Sequence, residues 1–314
     1  MRGLLYLLPV ILCWGSTPLL ISELSLELPV WEINALITGI STSVLALAVT
    51  ALGRWRTLRS LPGRTVGSML LLGAGGMFPY TALYYLAFAL APQAAGDANI
   101  INYLWPIWVL ILSVPLLREP LAWNKVAGML LAFAGVYLLA SAGSWVRFRA
   151  ENLPAYACAG VGAFFWGLFS VLAKREQREP LSAMFLYILA SFLCFAVLAL
   201  VLAASGALRL RLPSPRAWLF LGIVGAGSNG LATLFWVLAL RHGDTALVST
   251  LAYLTPFLAL VYLAVFRGTP IRPLQVAALA LILAGPLLER FVRGRARPPQ
   301  GGPPHAKSPR GARG

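Results

Sequence analysis

Apolar residues fill this sequence in ten long stretches, separated by short segments that hold most of its charged, proline and turn residues. Each stretch can cross the ~30 Å hydrocarbon core of a bilayer as a helix of about 20 residues. Because the stretches are continuous rather than alternating, the pattern favours helices over the strands of a membrane barrel. The predicted spans are residues 3–21, 31–53, 66–90, 95–117, 122–142, 154–173, 181–204, 216–240, 245–266 and 272–290.

The composition excludes a soluble protein. Of the 314 residues, 59% are hydrophobic and 11% are charged, against about 25% charged residues in soluble domains. The short connections leave no room for a soluble catalytic or nucleic-acid-binding domain. We therefore expect an all-α polytopic membrane protein whose partners are the lipid bilayer and a small-molecule substrate, with no nucleic acid. The first stretch lacks a small-residue cleavage site, so we interpret it as a retained span rather than a signal peptide.

The basic residues predict the orientation. With the N-terminus in the cytoplasm, 18 Lys and Arg residues fall on that side and 7 on the other, so the positive-inside rule predicts that both termini are cytoplasmic. Residues 293–314 form a basic tail rich in Pro and Gly, which we expect to be disordered and close to the lipid surface. The three cysteines lie in separate apolar stretches and predict neither a disulfide framework nor a zinc site.

The sequence matches itself without gaps at an offset of 150 residues. Over residues 84–140 the match contains 13 identities in 57 positions, among them Tyr103 with Tyr253 and Pro106 with Pro256. Chance convergence of apolar sequence is the alternative to duplication. We predict a first five-helix repeat at 1–150 and a second at 151–292, and an odd number of helices inverts the second copy in the membrane.

Two further matches between the two halves carry a resemblance to a known family. At an offset of 152 residues, Trp14-Gly15 of the first span matches Trp166-Gly167 of the sixth, and each half has a proline inside its fourth span. In these features the chain resembles the drug/metabolite transporter superfamily, and within it the EamA-type ten-helix exporters of aromatic and neutral amino acids. The resemblance covers about residues 3–292. It implies a basket of helices around a central cavity, with the fifth and tenth spans outermost.

Aromatic and amide side chains at helical spacing are the candidate lining of such a cavity. Belts at the membrane interface and contacts between helices are the alternative roles for these residue types. Because proline removes a backbone donor, Pro79, Pro106 and Pro256 are the candidate helix breaks or gates. The candidate lining residues are Tyr80, Tyr84, Asn99, Asn102, Tyr103, Trp105, Trp166, Asn229, Trp236 and Tyr253.

No predicted span carries a charged side chain near its centre. Buried ionisable residues usually mark ion pathways, so their absence argues against cationic-drug antiport and against phosphorylated substrates. The segment Gly225–Gly230 spells the dinucleotide-binding pattern GxGxxG, but it lies inside an apolar span and not between a strand and a helix. Ser228 in that segment has no histidine base within a span. We expect no cofactor, no metal and no enzymatic activity.

The residues and the resemblance together predict a monomeric transporter in the bacterial inner membrane. It is expected to export neutral or aromatic amino acids and similar small metabolites by alternating access, driven by the substrate gradient. One alternative is export of another amphipathic metabolite or drug coupled to protons. Alternatives from other classes are an intramembrane enzyme and a non-transporting subunit.

Overall fold

In the computed structural model of this chain, residues 2–141, 143 and 149–293 are described, and every regular element among them is a helix. The predicted all-α membrane fold class is confirmed. Residues 294–314 of the predicted tail lie outside the described part.

Nine helices of the described part are long and apolar enough to cross a membrane, and a tenth, Pro273–Arg293, carries a shorter apolar part, Pro273–Glu289. We number these ten helices as spans in chain order. A short helix, Trp55–Arg59, follows the second span. The first nine spans are Arg2–Leu24, Val30–Ala51, Gly63–Leu90, Gly96–Leu117, Trp123–Ala140, Ala150–Arg175, Pro180–Ala204, Pro215–His242 and Thr245–Arg267.

Large apolar side chains cover the outside of the bundle. Leu5, Leu47 and Leu71 are examples of leucines whose side chains point away from the neighbouring helices and remain exposed. Exposed apolar area of this extent is a liability in water but suits a surface that contacts lipid chains. The buried residues are also mainly aliphatic, but among them are tryptophan, tyrosine, serine and threonine side chains, so part of the polar character of the spans is directed inward.

The fourth and ninth spans are broken at equivalent places. The fourth consists of helices Ala95–Asn102 and Trp105–Leu117, and the ninth of Thr245–Leu251 and Leu254–Arg267. Each break lies just before a proline, Pro106 or Pro256. Proline has no N–H and its ring clashes with the carbonyl four residues earlier, so Pro106 and Pro256 cannot donate to the carbonyls of Asn102 and Ala252. The Ala252 carbonyl accepts instead from the Thr255 backbone N–H at 3.0 Å, which tightens the backbone at the break. The two prolines are 150 residues apart, the same offset as the sequence match, and the two breaks fall one residue short of that offset.

The third and eighth spans contain π-helical segments, Gly73–Met77 and Ile223–Leu231. Pro79 follows the first of these segments closely, and the residue four positions before it, whose carbonyl would otherwise accept its missing N–H, is Gly75 within the segment. The GxGxxG sequence lies in the second segment, where Gly225 packs against Ile37 and Ile40 of the second span. These glycines thus serve close helix packing within the membrane.

The fifth and tenth spans pack tightly against each other. Gly128 and Gly285 face each other so closely that a Cβ atom on either would collide with the backbone carbonyl of the other. This small-residue contact is typical of membrane helices, whose association depends on close packing. Neither span contributes a side chain to the central cavity described next.

Candidate functional site

A cavity of about 620 Å³ lies in the middle of the bundle. Its mouth is formed where the first span ends, the second begins and the third ends, at Ser25, Val30 and Ala89. That is the face opposite the chain termini, because ten spans return the chain to the side where it began. We call the two sides the opposite face and the terminal face. The cavity is therefore open at the opposite face and ends in aromatic rings at about mid-membrane.

Four tryptophans from four spans meet at the floor of the cavity. The Trp14 ring lies 6.1 Å from Trp105, 5.7 Å from Trp166 and 5.5 Å from Trp236, measured between ring centroids. Most of these pairs are edge-to-face, the geometry that places the positive edge of one ring against the negative face of the next. Trp14 and Trp105 each contact the other three rings, so these two residues are the centre of the cluster.

Tyrosines of the third span extend this aromatic surface toward the mouth. The Tyr80 ring lies 4.8 Å from Trp166 and 6.1 Å from Tyr84, to which it is nearly parallel at 14°. The Tyr84 hydroxyl donates to Asn99 Oδ1 at 2.8 Å. This hydrogen bond fixes the orientation of the Tyr84 ring from the side away from the cavity. One wall of the cavity is therefore a continuous aromatic surface on which a flat apolar group can stack.

Two polar atoms in the wall have no protein partner in the described part of the chain. They are Asn102 Oδ1, beside the helix break of the fourth span, and Thr255 Oγ1, beside that of the ninth. Both residues line the cavity. Because a buried polar atom without a hydrogen bond costs about 1–3 kcal/mol, water or a ligand in the cavity is the natural partner of these two atoms.

The eighth span supplies a hydrogen-bonded network through its π-helical segment. Trp14 Nε1 donates to the Ser228 carbonyl oxygen at 3.0 Å, and Ser228 Oγ donates to the Cys13 carbonyl oxygen at 2.9 Å. Asn229 Nδ2 donates to Ser41 Oγ at 2.8 Å. The π-helical register turns these backbone and side-chain groups toward neighbouring spans, so it connects the first, second and eighth spans around the cavity.

The structure brings seven of the ten candidate residues to the cavity wall. These seven are Tyr80, Tyr84, Asn102, Tyr103, Trp105, Trp166 and Asn229. The other three lie directly behind it: Asn99 under Tyr84, Trp236 under Trp14, and Tyr253 under Tyr103.

The three residues behind the wall support those that line it. Trp236 is fully buried and its Nε1 donates to Ser170 Oγ at 3.0 Å, while the Tyr253 hydroxyl donates to the Tyr103 carbonyl oxygen at 3.0 Å. Pro79, Pro106 and Pro256 stand at or beside interruptions of their helices and do not line the cavity.

Sequence reasoning missed several lining residues. The sequence marks Trp14 only through its match with Trp166 in the repeat, and that match is the available signal for its position. Asn34 and Thr255 carried a weaker signal as isolated polar residues in apolar stretches. Thr17 Oγ1 donates to the Cys13 carbonyl oxygen one turn earlier, as a hydroxyl inside a helix commonly does, so its sequence position gives no signal. Ser228 Oγ donates to the same carbonyl from a distant span, a contact that only the fold reveals.

The residues that line the cavity include no charged side chain, and the ion pairs among the described residues lie at the two ends of the bundle. At the opposite face, Glu23 pairs with Arg216 at 2.9 Å and with Arg267 at 2.5 Å. At the terminal face, Lys174 pairs with Glu119 at 2.6 Å and Lys125 with Asp244 at 3.2 Å. Within the described residues no cluster of His, Cys, Asp and Glu could hold a metal ion.

Comparison with known proteins agrees with this architecture. The sequence model of the EamA-like transporter family matches residues 1–141 and again 153–289. A solved crystal structure superposes with a TM-score of 0.81 at 26% identity, covering 93% of this chain and 99% of its own.

Two relatives have names that state what they transport. The aromatic amino acid exporter YddG of Ancylobacter novellus is 32% identical over 215 residues, which cover 68% of this chain and 72% of the relative. The "Probable terminal-alkyne amino-acid exporter" of Streptantibioticus cattleyicolor is 25% identical over 260 residues, covering 82% and 83%. The family match spans most of both halves, and the chain therefore belongs to the EamA-like transporter family of multi-pass membrane transporters.

Proposed function

We propose that this protein exports neutral amino acids with aromatic or other large apolar side chains across the bacterial inner membrane. The observation that carries the proposal is the central cavity, which is uncharged, aromatic and closed at mid-membrane. Its volume of about 620 Å³ falls in the roughly 300–1,000 Å³ range of small-molecule sites. The names of the two relatives support amino acids as the substrate class.

The wall chemistry matches a zwitterion with a flat side chain. Tyr80 and Trp166 offer a stacking face, and aromatic pairs add about 0.5–1.5 kcal/mol beyond their buried area. Asn102 Oδ1 and Thr255 Oγ1 can accept hydrogen bonds from an ammonium group without bringing a net charge into the membrane. A substrate with a net charge would enter this cavity without a counter-ion, at a high desolvation cost.

The mechanism we propose is alternating access around this cavity. The described state is open at the opposite face, which the positive-inside rule assigns to the outside of the cell. Export requires a second state, open at the terminal face, in which the tryptophan floor and the ion pairs below it have separated. The helix breaks before Pro106 and Pro256 are the natural hinges, because they interrupt the backbone ladder beside the cavity.

We expect transport to be facilitative, because no charged group lines the cavity to couple it to an ion. Protein reconstituted in liposomes should move labelled phenylalanine down its own gradient without an imposed proton or sodium gradient. The rate should change less than about twofold when a pH step is applied. Concentrative uptake that follows the pH step and disappears with an uncoupler would contradict this prediction and favour the proton-coupled alternative.

Two tryptophans test the aromatic wall. Trp105→Ala and Trp166→Ala should each lower the transport of an aromatic substrate about tenfold, equivalent to roughly 1.4 kcal/mol of lost stabilisation. The assay is uptake of labelled tryptophan, phenylalanine and leucine into liposomes at matched protein content, and leucine transport should fall less.

Trp123→Ala is the matched control. This side chain is 84% exposed at the start of the fifth span, so its removal should change transport less than twofold. Equal transport by all four proteins would show that Trp105 and Trp166 serve packing rather than substrate binding. If the Trp105 and Trp166 variants lose transport of tryptophan, phenylalanine and leucine to a similar extent, these two residues do not give a preference for aromatic substrates.

A further inference from the structure

A second groove opens on the side of the bundle near the terminal face. It has a volume of about 830 Å³ and is formed by the third, sixth and seventh spans and the segment between the sixth and seventh. None of its lining residues lines the central cavity. It is therefore a separate feature that the transport pathway does not account for.

The wall of this groove is apolar and faces outward. Leu71, which is 72% exposed, stands at its edge, and Leu72, Leu168 and Leu172 continue the wall. Gly75 has no neighbouring atom within 4 Å of the place where a Cβ would lie, so the third span leaves this part of the groove open. These residues belong to membrane spans, so the material that contacts this wall in a bilayer is lipid.

A polar group lies in the depth of the groove. Tyr187 is 1% exposed, and its hydroxyl is without a hydrogen-bond partner among the described residues. Its ring is held edge-to-face against Phe169 at 5.5 Å, and the Gly73 backbone packs against its carbonyl group. Because buried tyrosine hydroxyls usually bond to something, the groove offers a donor to an oxygen of whatever occupies it.

Basic side chains stand at the rim, on the terminal face. Arg178 is paired with Glu176 at 2.9 Å, and its carbonyl oxygen accepts a bond from Arg241 Nη1 at 2.8 Å, which fixes the segment. Arg175 is exposed and forms no ion pair or hydrogen bond with the described residues. The three charged side chains of the rim, Arg175, Glu176 and Arg178, sum to one positive charge.

We propose that this groove binds one anionic phospholipid from the leaflet at the terminal face. Its phosphate would contact the Arg175 and Arg178 guanidinium groups, which are suited to bidentate phosphate bonds. One acyl chain would lie along the leucine wall. Tyr187 is seven residues into the seventh span, about 10 Å below its start, and its hydroxyl donates to an ester oxygen of the lipid.

The outward-facing apolar wall selects a lipid over a soluble anion. A free phosphate would satisfy the arginines but would leave the leucine wall and the Tyr187 hydroxyl uncovered. The basic residues of the terminal face are also where the anionic lipids of a cytoplasmic leaflet would be concentrated. The positive charge of the rim and the apolar wall of the groove thus both indicate an anionic phospholipid.

The test is native mass spectrometry of the full-length protein, titrated with phosphatidylglycerol or with phosphatidylcholine of the same acyl chains. We expect one phosphatidylglycerol to bind at least about tenfold more tightly than phosphatidylcholine. Arg175→Gln with Arg178→Gln should remove that preference. Tyr187→Phe, which keeps the ring, should weaken phosphatidylglycerol binding about threefold.

The matched control replaces Arg56 and Arg59, which lie on the same face outside the groove. Arg56→Gln with Arg59→Gln removes the same charge and should leave the preference intact. Arg175→Gln alone guards against misfolding, because Arg175 supports no other described residue. An equal loss in the control variant, equal binding of both lipids, or full displacement by millimolar inorganic phosphate would overturn the proposal.

Discussion

Replacing Glu119 with Gln is expected to lower transport about thirtyfold and to open the terminal face of the bundle. Glu119 Oε1 accepts bonds from Lys174 Nζ at 2.6 Å and from Thr245 Oγ1 at 2.8 Å, and Lys174 also donates to Thr245. Because the side chains of Lys174 and Glu119 are only 14% and 25% exposed, the variant leaves a partly buried ammonium without its carboxylate. Bonds to charged groups are worth about 1.5–3 kcal/mol, and about 2 kcal/mol is a thirtyfold change in population.

These three residues connect separate parts of the chain at the closed end of the pathway. Glu119 follows the fourth span, Lys174 ends the sixth and Thr245 begins the ninth. Lys125 and Asp244 add a second pair between the two halves of the sequence. In the alternating-access mechanism that we propose, both pairs must separate before the terminal face can open, so we expect them to stabilise the state that is open at the opposite face.

The opening can be measured with a cysteine at Ser249, one helical turn from Thr245. Ser249 is completely buried, so Ser249→Cys, made with Cys13, Cys158 and Cys194 replaced by Ala, should react slowly with a water-soluble maleimide. Adding Glu119→Gln should raise the labelling rate at least about tenfold. Transport is measured in parallel, because a protein trapped in either state exports poorly.

Two further variants distinguish the effect of the Glu119–Lys174 pair from the effect of changing a single charge. The double variant Glu119→Lys with Lys174→Glu restores an opposite pair and should recover much of the slow labelling. Arg149→Ala removes a pair with Glu151 whose side chains are 70% and 64% exposed, and such surface pairs contribute about 0–1 kcal/mol. If Glu119→Gln labels and transports like the parent protein, the pair does not hold this end closed.

The apolar pattern was sufficient to predict the spans and their interruptions. Hydrocarbon thickness fixes the length of a spanning helix, so ten apolar stretches translate directly into ten helices. The matched prolines of the repeat, Pro106 and Pro256, predicted the two broken spans, because the loss of a backbone donor acts locally; proline alone was not sufficient, since Pro9, Pro18 and Pro286 lie inside continuous helices. Both features depend only on residues close together in the sequence.

The contacts of individual side chains could not be read in the same way. Asn229, Thr233 and Trp236 form one stripe on an α-helix, but the structure places only Asn229 and Thr233 in the cavity wall. Asn229 and Thr233 lie on either side of the end of the π-helical segment Ile223–Leu231 and still share the cavity wall. Trp236 follows Thr233 by three residues within a regular helix, but its ring packs behind Trp14 at 5.5 Å and its Nε1 donates to Ser170 Oγ. The neighbouring spans, and not the helix period, therefore decide where Trp236 lies.

Contacts between residues that lie far apart in the sequence could not be predicted either. Glu23 contacts Arg216 and Arg267, which are almost 200 and 250 positions away, and each of the three was simply a charged residue near the end of a span. The same holds for Trp14, whose role follows from three rings on other spans. Periodicity defines which residues share a helix face, but the identity of the facing helix comes only from the fold.

Trp14→Ala is expected to have the largest effect of any single change in the cavity, lowering aromatic substrate transport at least about fiftyfold. Trp14 touches the rings of Trp105, Trp166 and Trp236, so its removal takes away three ring contacts and leaves only those that Trp105 makes with Trp166 and Trp236. It also removes the donor to the Ser228 carbonyl oxygen, and a large-to-small change among packed rings costs about 3–5 kcal/mol. The floor would lose both its shape and its support.

Trp14→Phe distinguishes the contribution of the aromatic ring from that of the Nε1 hydrogen bond. It keeps an aromatic face but cannot donate, so it should transport about three- to fivefold more slowly than the parent protein, with a larger loss of thermal stability than of substrate affinity. Comparing both variants by size-exclusion profile, melting temperature and uptake into liposomes separates folding from function. A Trp14→Ala protein that elutes and melts like the parent and still transports tryptophan at the parent rate would show that the four-ring floor is not part of the substrate pathway.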